Sequence, residues 1–284
     1  MTNTRAWQWA GALACALAPW LGAQAQSVAM ALDRSGEVEV THAARTVKLK
    51  LLDYLASDSE LRVPAAGTAT LVYLATSQEW QFEGPGRYAL QPGQPRVLEG
   101  KAPKVHGVAA ASAQAMTKLE PTQRDRLALG AVVLRAAGLL RMVGPNNVDV
   151  LAARPTLIWR SSTERPVRVS VFAANAAAPL AQAVVADRQW TPPTDLSAGS
   201  YDWQAELATG PAGPPLRGRF RVIEAADERR ARLGPAPAPT APFSQRIAYA
   251  LMLDNEDLPH DALLWWRALA AERPDEASLR DWAR

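Results

Sequence analysis

WQFEGPGRYAL, residues 80–90, sets two short alternating runs on either side of Gly84-Pro85-Gly86. Trp80 and Phe82 alternate with Gln81 and Glu83, and Tyr88 and Leu90 repeat the pattern beyond the glycines. A period of two marks strands with one apolar and one polar face. Proline fixes one backbone dihedral and either glycine accepts a positive φ, which suits a tight strand connection. A phosphate-cradling loop needs a helix behind it, whose N-terminus helps hold the anion. The residues after Arg87 are YALQPGQPRVLEG, too rich in proline and glycine for a helix. The stretch therefore reads as a turn between strands.

The same alternation extends upstream. Val38 and Val40 are spaced by Glu39, and Val47, Leu49 and Leu51 by Lys48 and Lys50. Leu61 and Val63 flank Arg62, and Leu71 and Tyr73 continue the series. Short runs broken at close intervals by turn residues indicate antiparallel strands with one face on a core. Residues 26–100 are expected to form one β-module. Three stretches, GEVEV (36–40), KLKLLDYLASDSELRV (48–63) and GTATLVYLATSQEWQFEGPGRYAL (67–90), resemble the periplasmic FecR-type β-domain. That resemblance implies the fold and an extracytoplasmic binding role. It does not carry the family's sigma-regulating role, because a leader-like segment starts almost at residue 1 and no cytoplasmic helical region precedes it.

That leader is MTNTRAWQWAGALACALAPWLGAQAQ. Arg5 precedes an apolar run from Trp9 to Leu21 that Pro19 interrupts, and Ala23-Gln24-Ala25 supplies small residues for a peptidase. The pattern predicts a signal peptide over 1–25, cut before Gln26, with a retained anchor as the rival reading. Cleavage removes Cys15, the chain's single cysteine, so burial alone must hold the fold in an oxidising compartment. The expected location is periplasmic or secreted, with no membrane span after cleavage. A net charge of +3 on 284 residues offers no electrostatic footprint for nucleic acid.

Residues 101–138 are Ala-rich and weakly patterned, an ordered bridge whose apolar part suits strand or helix equally. From 139 the strand signals resume: RPTLIWRSS (154–162), RPVRVSVFAA (165–174), GSYDWQAEL (199–207) and LRGRFRVIE (216–224). Their regular spacing predicts a two-sheet sandwich over 139–224, with Trp159 and Trp203 on facing sheets. LSAGSY (196–201) resembles the corner of fibronectin type III and immunoglobulin-like domains, which implies a Tyr201 hydroxyl bonded back to nearby backbone and a turn at Gly199.

Residues 225–242 end in LGPAPAPTAP and read as a Pro-rich linker, the mixed charges of DERRAR (227–232) being solvated. Residues 243–284 then change to helical spacing. Ser244 is expected as an N-cap and Pro259 in a first turn, and the segment is similar to one tetratricopeptide hairpin. One hairpin cannot bury its apolar face alone, so it must dock on the sandwich, on a second copy or on another protein. Trp265 and Trp266 lie about 100° apart around a helix. One of them is the candidate exposed anchor for a partner, against a reading in which a broad face packs inward.

Chemistry is sparse. His42, His106 and His260 have no metal-ligand spacing, and no serine sits in a G-x-S-x-G elbow. The acidic clusters Asp53–Asp58–Glu60 and Asp254–Glu256–Asp257 fall in turn-like regions; calcium is open at Asp254-Asn255-Glu256-Asp257, although that loop lacks the Asp-x-Asp-x-Asp-Gly spacing. The fold expected is mainly β: a FecR-like module, an immunoglobulin-like sandwich and a short α-helical hairpin. The function expected is that of an exported, non-enzymatic binding or scaffold protein of the bacterial envelope. It would use no cofactor or metal and would work through contact with an envelope protein, with self-association through the hairpin also open. The alternatives are a periplasmic hydrolase with its site between the β-modules, and a carbohydrate-binding module using Trp80 or Trp190.

Overall fold

A computed structural model of the chain describes residues 27–107, 116, 139–210 and 213–284. The leader over 1–25 and most of the bridge over 101–138 lie outside those residues.

Ten strands make the first body: β1 (Ser27–Ser35), β2 (Glu39–His42), β3 (Arg45–Lys48), β4 (Tyr54–Ala56), β5 (Glu60–Val63), β6 (Thr68–Tyr73), β7 (Gln78–Glu83), β8 (Gly86–Leu90), β9 (Pro95–Gly100) and β10 (Lys104–Gly107). They form two antiparallel five-stranded sheets, in the orders β10-β7-β6-β1-β4 and β3-β2-β5-β8-β9. Leu61, Leu71, Phe82 and Tyr88 lie in the core between them. β10 lengthens the first sheet with residues read as the start of the bridge, pairing His106 with Glu79.

The Gly84-Pro85-Gly86 turn carries the chain from one sheet to the other. β7 pairs with β6 and β10, whereas β8 pairs with β5 and β9. Here glycine is a matter of space. A Cβ on Gly84 would stand 1.7 Å from the Pro64 carbonyl oxygen, and one on Gly86 2.4 Å from the Tyr88 hydroxyl. That hydroxyl reaches the carbonyls of Glu83 and Lys101 at 3.2 and 2.9 Å, which ties the turn to the core.

β1 was not among the expected strands. Alternation exposes a strand with one wet face, and β1 has none over Ala29–Leu32. Ala29 and Ala31 face the core between the sheets, while Met30 and Leu32 face the opposite side.

Eight strands make the second body: β11 (Leu140–Gly144), β12 (Val148–Val150), β13 (Leu157–Ser161), β14 (Val167–Ala173), β15 (Ala181–Val185), β16 (Gln189–Trp190), β17 (Gly199–Leu207) and β18 (Leu216–Val222). The sheets run β11-β13-β16 and β12-β18-β17-β14-β15, antiparallel except where β12 meets β18. Trp159 on β13 and Trp203 on β17 are each 1% exposed, and their rings lie 6.4 Å apart across the core. The Tyr201 hydroxyl donates to the Ser197 carbonyl at 2.7 Å, and Gly199 takes a φ of 147°.

Beyond the second body the described residues form four helices: α1 (Glu228–Leu233), α2 (Phe243–Asn255), α3 (Pro259–Glu272) and α4 (Ala277–Trp282). α1 corrects the reading of 225–242 as linker throughout. Asp227 caps it by accepting from the Arg229 backbone N–H at 3.0 Å. Its arginines are anchors rather than solvated charge: Arg229 pairs with Asp149 and Asp227, and Arg230 donates to the Leu151 carbonyl. Pro259 opens α3 as expected, but Ser244 does not cap α2, which starts at Phe243.

The helices dock on the outer face of the β10-β7-β6-β1-β4 sheet. Met30, Leu32 and Val72 share one core with Ile247, Leu251, Trp266 and Leu269. Ion pairs from Arg273 to Asp33 and from Arg34 to Glu276 clamp the edge of this layer. The second body joins from the other side, where the Asp261 carboxylate accepts from the Leu151 N–H at 3.0 Å. No helix among the described residues is long and apolar enough to cross a membrane.

Candidate functional site

Strand register lays a polar strip across the helix-facing side of the first sheet. Asp33 pairs with Thr70, Thr70 with Gln81, and in the adjoining row Glu79 pairs with His106. Gln81 and Glu79 are the polar positions of β7, which alternation alone directs toward water. α2 and the segment after α1 instead roof them incompletely. The result is a cleft of about 760 Å³. Its walls are apolar where α1 and α2 contribute Leu233, Ala248 and Met252, and Gly234, Pro235 and Pro237 form a rim.

Charge in the cleft is unevenly settled. Asp33 is held by Arg273 at 2.5 Å, and Arg232 turns to Glu256 at 2.7 Å. Among the described residues Glu79 receives only the Ser244 hydroxyl, at 3.3 Å. Burial pushes the Glu79 carboxyl above its ordinary range. The Ser244 hydrogen bond and His106 pull it back, and Asp33 adds to the rise. Ser244 is thus a floor group of the cleft rather than a helix cap. Its hydroxyl points at a carboxylate, whereas nucleophilic activation of serine needs a base such as imidazole in that place.

The residues singled out from sequence lie elsewhere. Trp266 is 1% exposed, donates its ring N–H to Asp254 at 2.8 Å and stands 5.0 Å from the Trp282 ring. Trp265 is half-buried, its ring edge-on to Tyr249 at 5.1 Å. Trp266 lies inside the core that the helices share with the first sheet, and Trp265 packs against that core, so neither is an exposed ring. Trp80 and Trp190 are half-buried, packed against the two β cores. His42 sits by Ser59 at 3.3 Å. His260 is buried where α3 meets the second body.

The acidic clusters have structural partners. The Asp53 carboxylate accepts from the Lys50 N–H, Glu60 forms a two-bond pair with Arg87, and Glu256 binds Arg232. Among the described residues no three His, Cys, Asp or Glu side chains are grouped to hold a metal ion. Of the three histidines, only His106 enters the cleft. No signal in the sequence marked Glu79 or Ser244 as partners, since 165 positions separate them.

No family model and no curated protein matches the chain.

Proposed function

We propose that this is an exported, non-enzymatic binding protein of the cell envelope that holds its partner in the cleft above β6, β7 and β10. Its first body reads as a FecR-like module and its second as an immunoglobulin-like sandwich. The leader pattern supports export, and the Tyr201 corner and the facing tryptophans support the second likeness. The observation that carries the binding role is the cleft itself. It has a polar floor on a rigid sheet and apolar walls on helices, the usual division of labour in a recognition site.

A photo-crosslinking side chain in place of Gln245, on the cleft wall, tests this in the native envelope. The control is the same group at Val184, 56% exposed on the β15 edge. A defined adduct from position 245 and none from 184 is the expected result. Adducts at 184 alone would remove the cleft from the proposal.

One observation favours a second reading, a hydrolase: His106, Glu79 and Asp33 line the same cleft. Purified protein that turned over chromogenic esters or glycosides, and lost that turnover on His106→Ala, would replace the binding role.

A further inference from the structure

We infer that the cleft takes a cationic group, a primary ammonium or guanidinium on an aliphatic stem, with Glu79 as its counter-ion. This rests on the cleft being the binding site.

Among the described residues five ionisable side chains line the cavity, the Tyr249 phenol and four that carry charge more readily: Asp33, Glu79, His106 and Arg232. Asp33 and Arg232 have partners of opposite charge, Arg273 and Glu256. Glu79 has a neutral hydroxyl and no Lys or Arg ion pair among the described residues. A carboxylate drawn out of water is stabilised by a cation with hydrogen bonds to spare. The fold leaves this one at the floor of an opening rather than closing an arginine over it.

The surroundings fit the rest of such a ligand. An ammonium offers three donors. Beside Glu79 stand the Gln81 amide and the Thr70 and Ser244 hydroxyls, all able to accept. Leu233, Ala248 and Met252 give a methylene stem an apolar wall. An anionic ligand finds the reverse, since Arg232 and Arg273 are both committed to carboxylates.

The test is calorimetric titration of the full chain with two blocked pentapeptides, one with a central lysine and one with norleucine, and with cadaverine as a free diamine. The lysine peptide should bind at least ~10-fold tighter than the norleucine peptide, a difference of about 1.4 kcal/mol. Glu79→Gln should erase that preference, while Glu206→Gln, on β17 and paired with Arg168, should leave it intact. Affinity should fall on acidification, as Glu79 takes up a proton. Equal binding of the two peptides, or a lysine preference that survives in Glu79→Gln, overturns the inference. Cadaverine binding as tightly as the lysine peptide assigns the cation to a free amine; binding of the peptide alone assigns it to a protein side chain. A crosslink at position 245 without lysine preference would sink the cation and spare the cleft. Lysine preference without a crosslink would spare the cation and sink the envelope partner.

Discussion

His260 and Asp261 are neighbours in α3 whose charges respond to burial in opposite senses. His260 is 4% exposed, and a Cβ on Gly144 would lie 2.8 Å from its Nδ1, so the second body presses directly on the ring. Burial pushes its pKa down to about 4, against a smaller upward pull from the Thr156 backbone; Arg267 lowers it further. Burial pushes the Asp261 carboxyl up to about 6, opposed by the Leu151 N–H and by Arg230. A depressed histidine contributes stability above 6.5 that is lost as pH falls through 4. A raised carboxyl contributes stability below 3.8 that is lost as pH rises through 6. Between about 4 and 6 the two slopes cancel in the native pair. Relative to the parent, His260→Gln should therefore gain stability as pH falls from 6 to 4, and Asp261→Asn should lose it over the same range. Urea midpoints across pH 4 to 7 check both signs. Tyr201 is the contrasting case. Its hydrogen bond to Ser197 was legible because the corner is local in sequence, and Tyr201→Phe should cost about 1 kcal/mol of unfolding free energy by urea titration. Nothing local marked His260, whose surroundings come from a strand more than a hundred positions away.

At the scale of elements, alternation identified strands with one wet face and passed over β1, which has two dry ones. The turn at 84–86 was legible as a turn, but not that it changes sheets, since partner choice depends on strands far along the chain. Gly84→Ala should destabilise by more than about 3 kcal/mol, because the Pro64 carbonyl occupies the space a methyl needs. Gly107→Ala is its control: nothing lies within 4 Å of that added Cβ, and its melting temperature should match the parent's. The tryptophan pair divides similarly. Trp266→Ala empties a fully buried site and takes a hydrogen-bond donor from the Asp254 carboxylate, a loss of roughly 3–5 kcal/mol. Trp265→Ala, on a half-buried ring, should lose less than half of that by the same melt.

For the whole molecule, the mainly β character and the short helical tail were legible because the apolar period changes from two to 3.6 near residue 243. The docking was not, because it joins residues such as Met30 and Ile247 across most of the chain. The helices were expected to dock on the sandwich, on a second copy or on another protein; they cover the first sheet and touch the second body at Leu151. The cleft is a product of that docking, and so it was invisible too. A chain ending at residue 242 would bare Met30, Leu32 and Val72 together. It should aggregate at concentrations where the full chain stays monodisperse by light scattering, and amide exchange in β1 should accelerate before that in β17.

The two dry faces of β1 also order events in time. Its outer face waits for α2 and α3, which are made well after β1 because they lie far along the chain from it. At roughly 5–20 residues per second, that wait lasts on the order of ten to forty seconds. Throughout it, Met30 and Leu32 form a greasy stripe that a chaperone can grip, so the newborn polypeptide stays unlatched until α2 and α3 arrive.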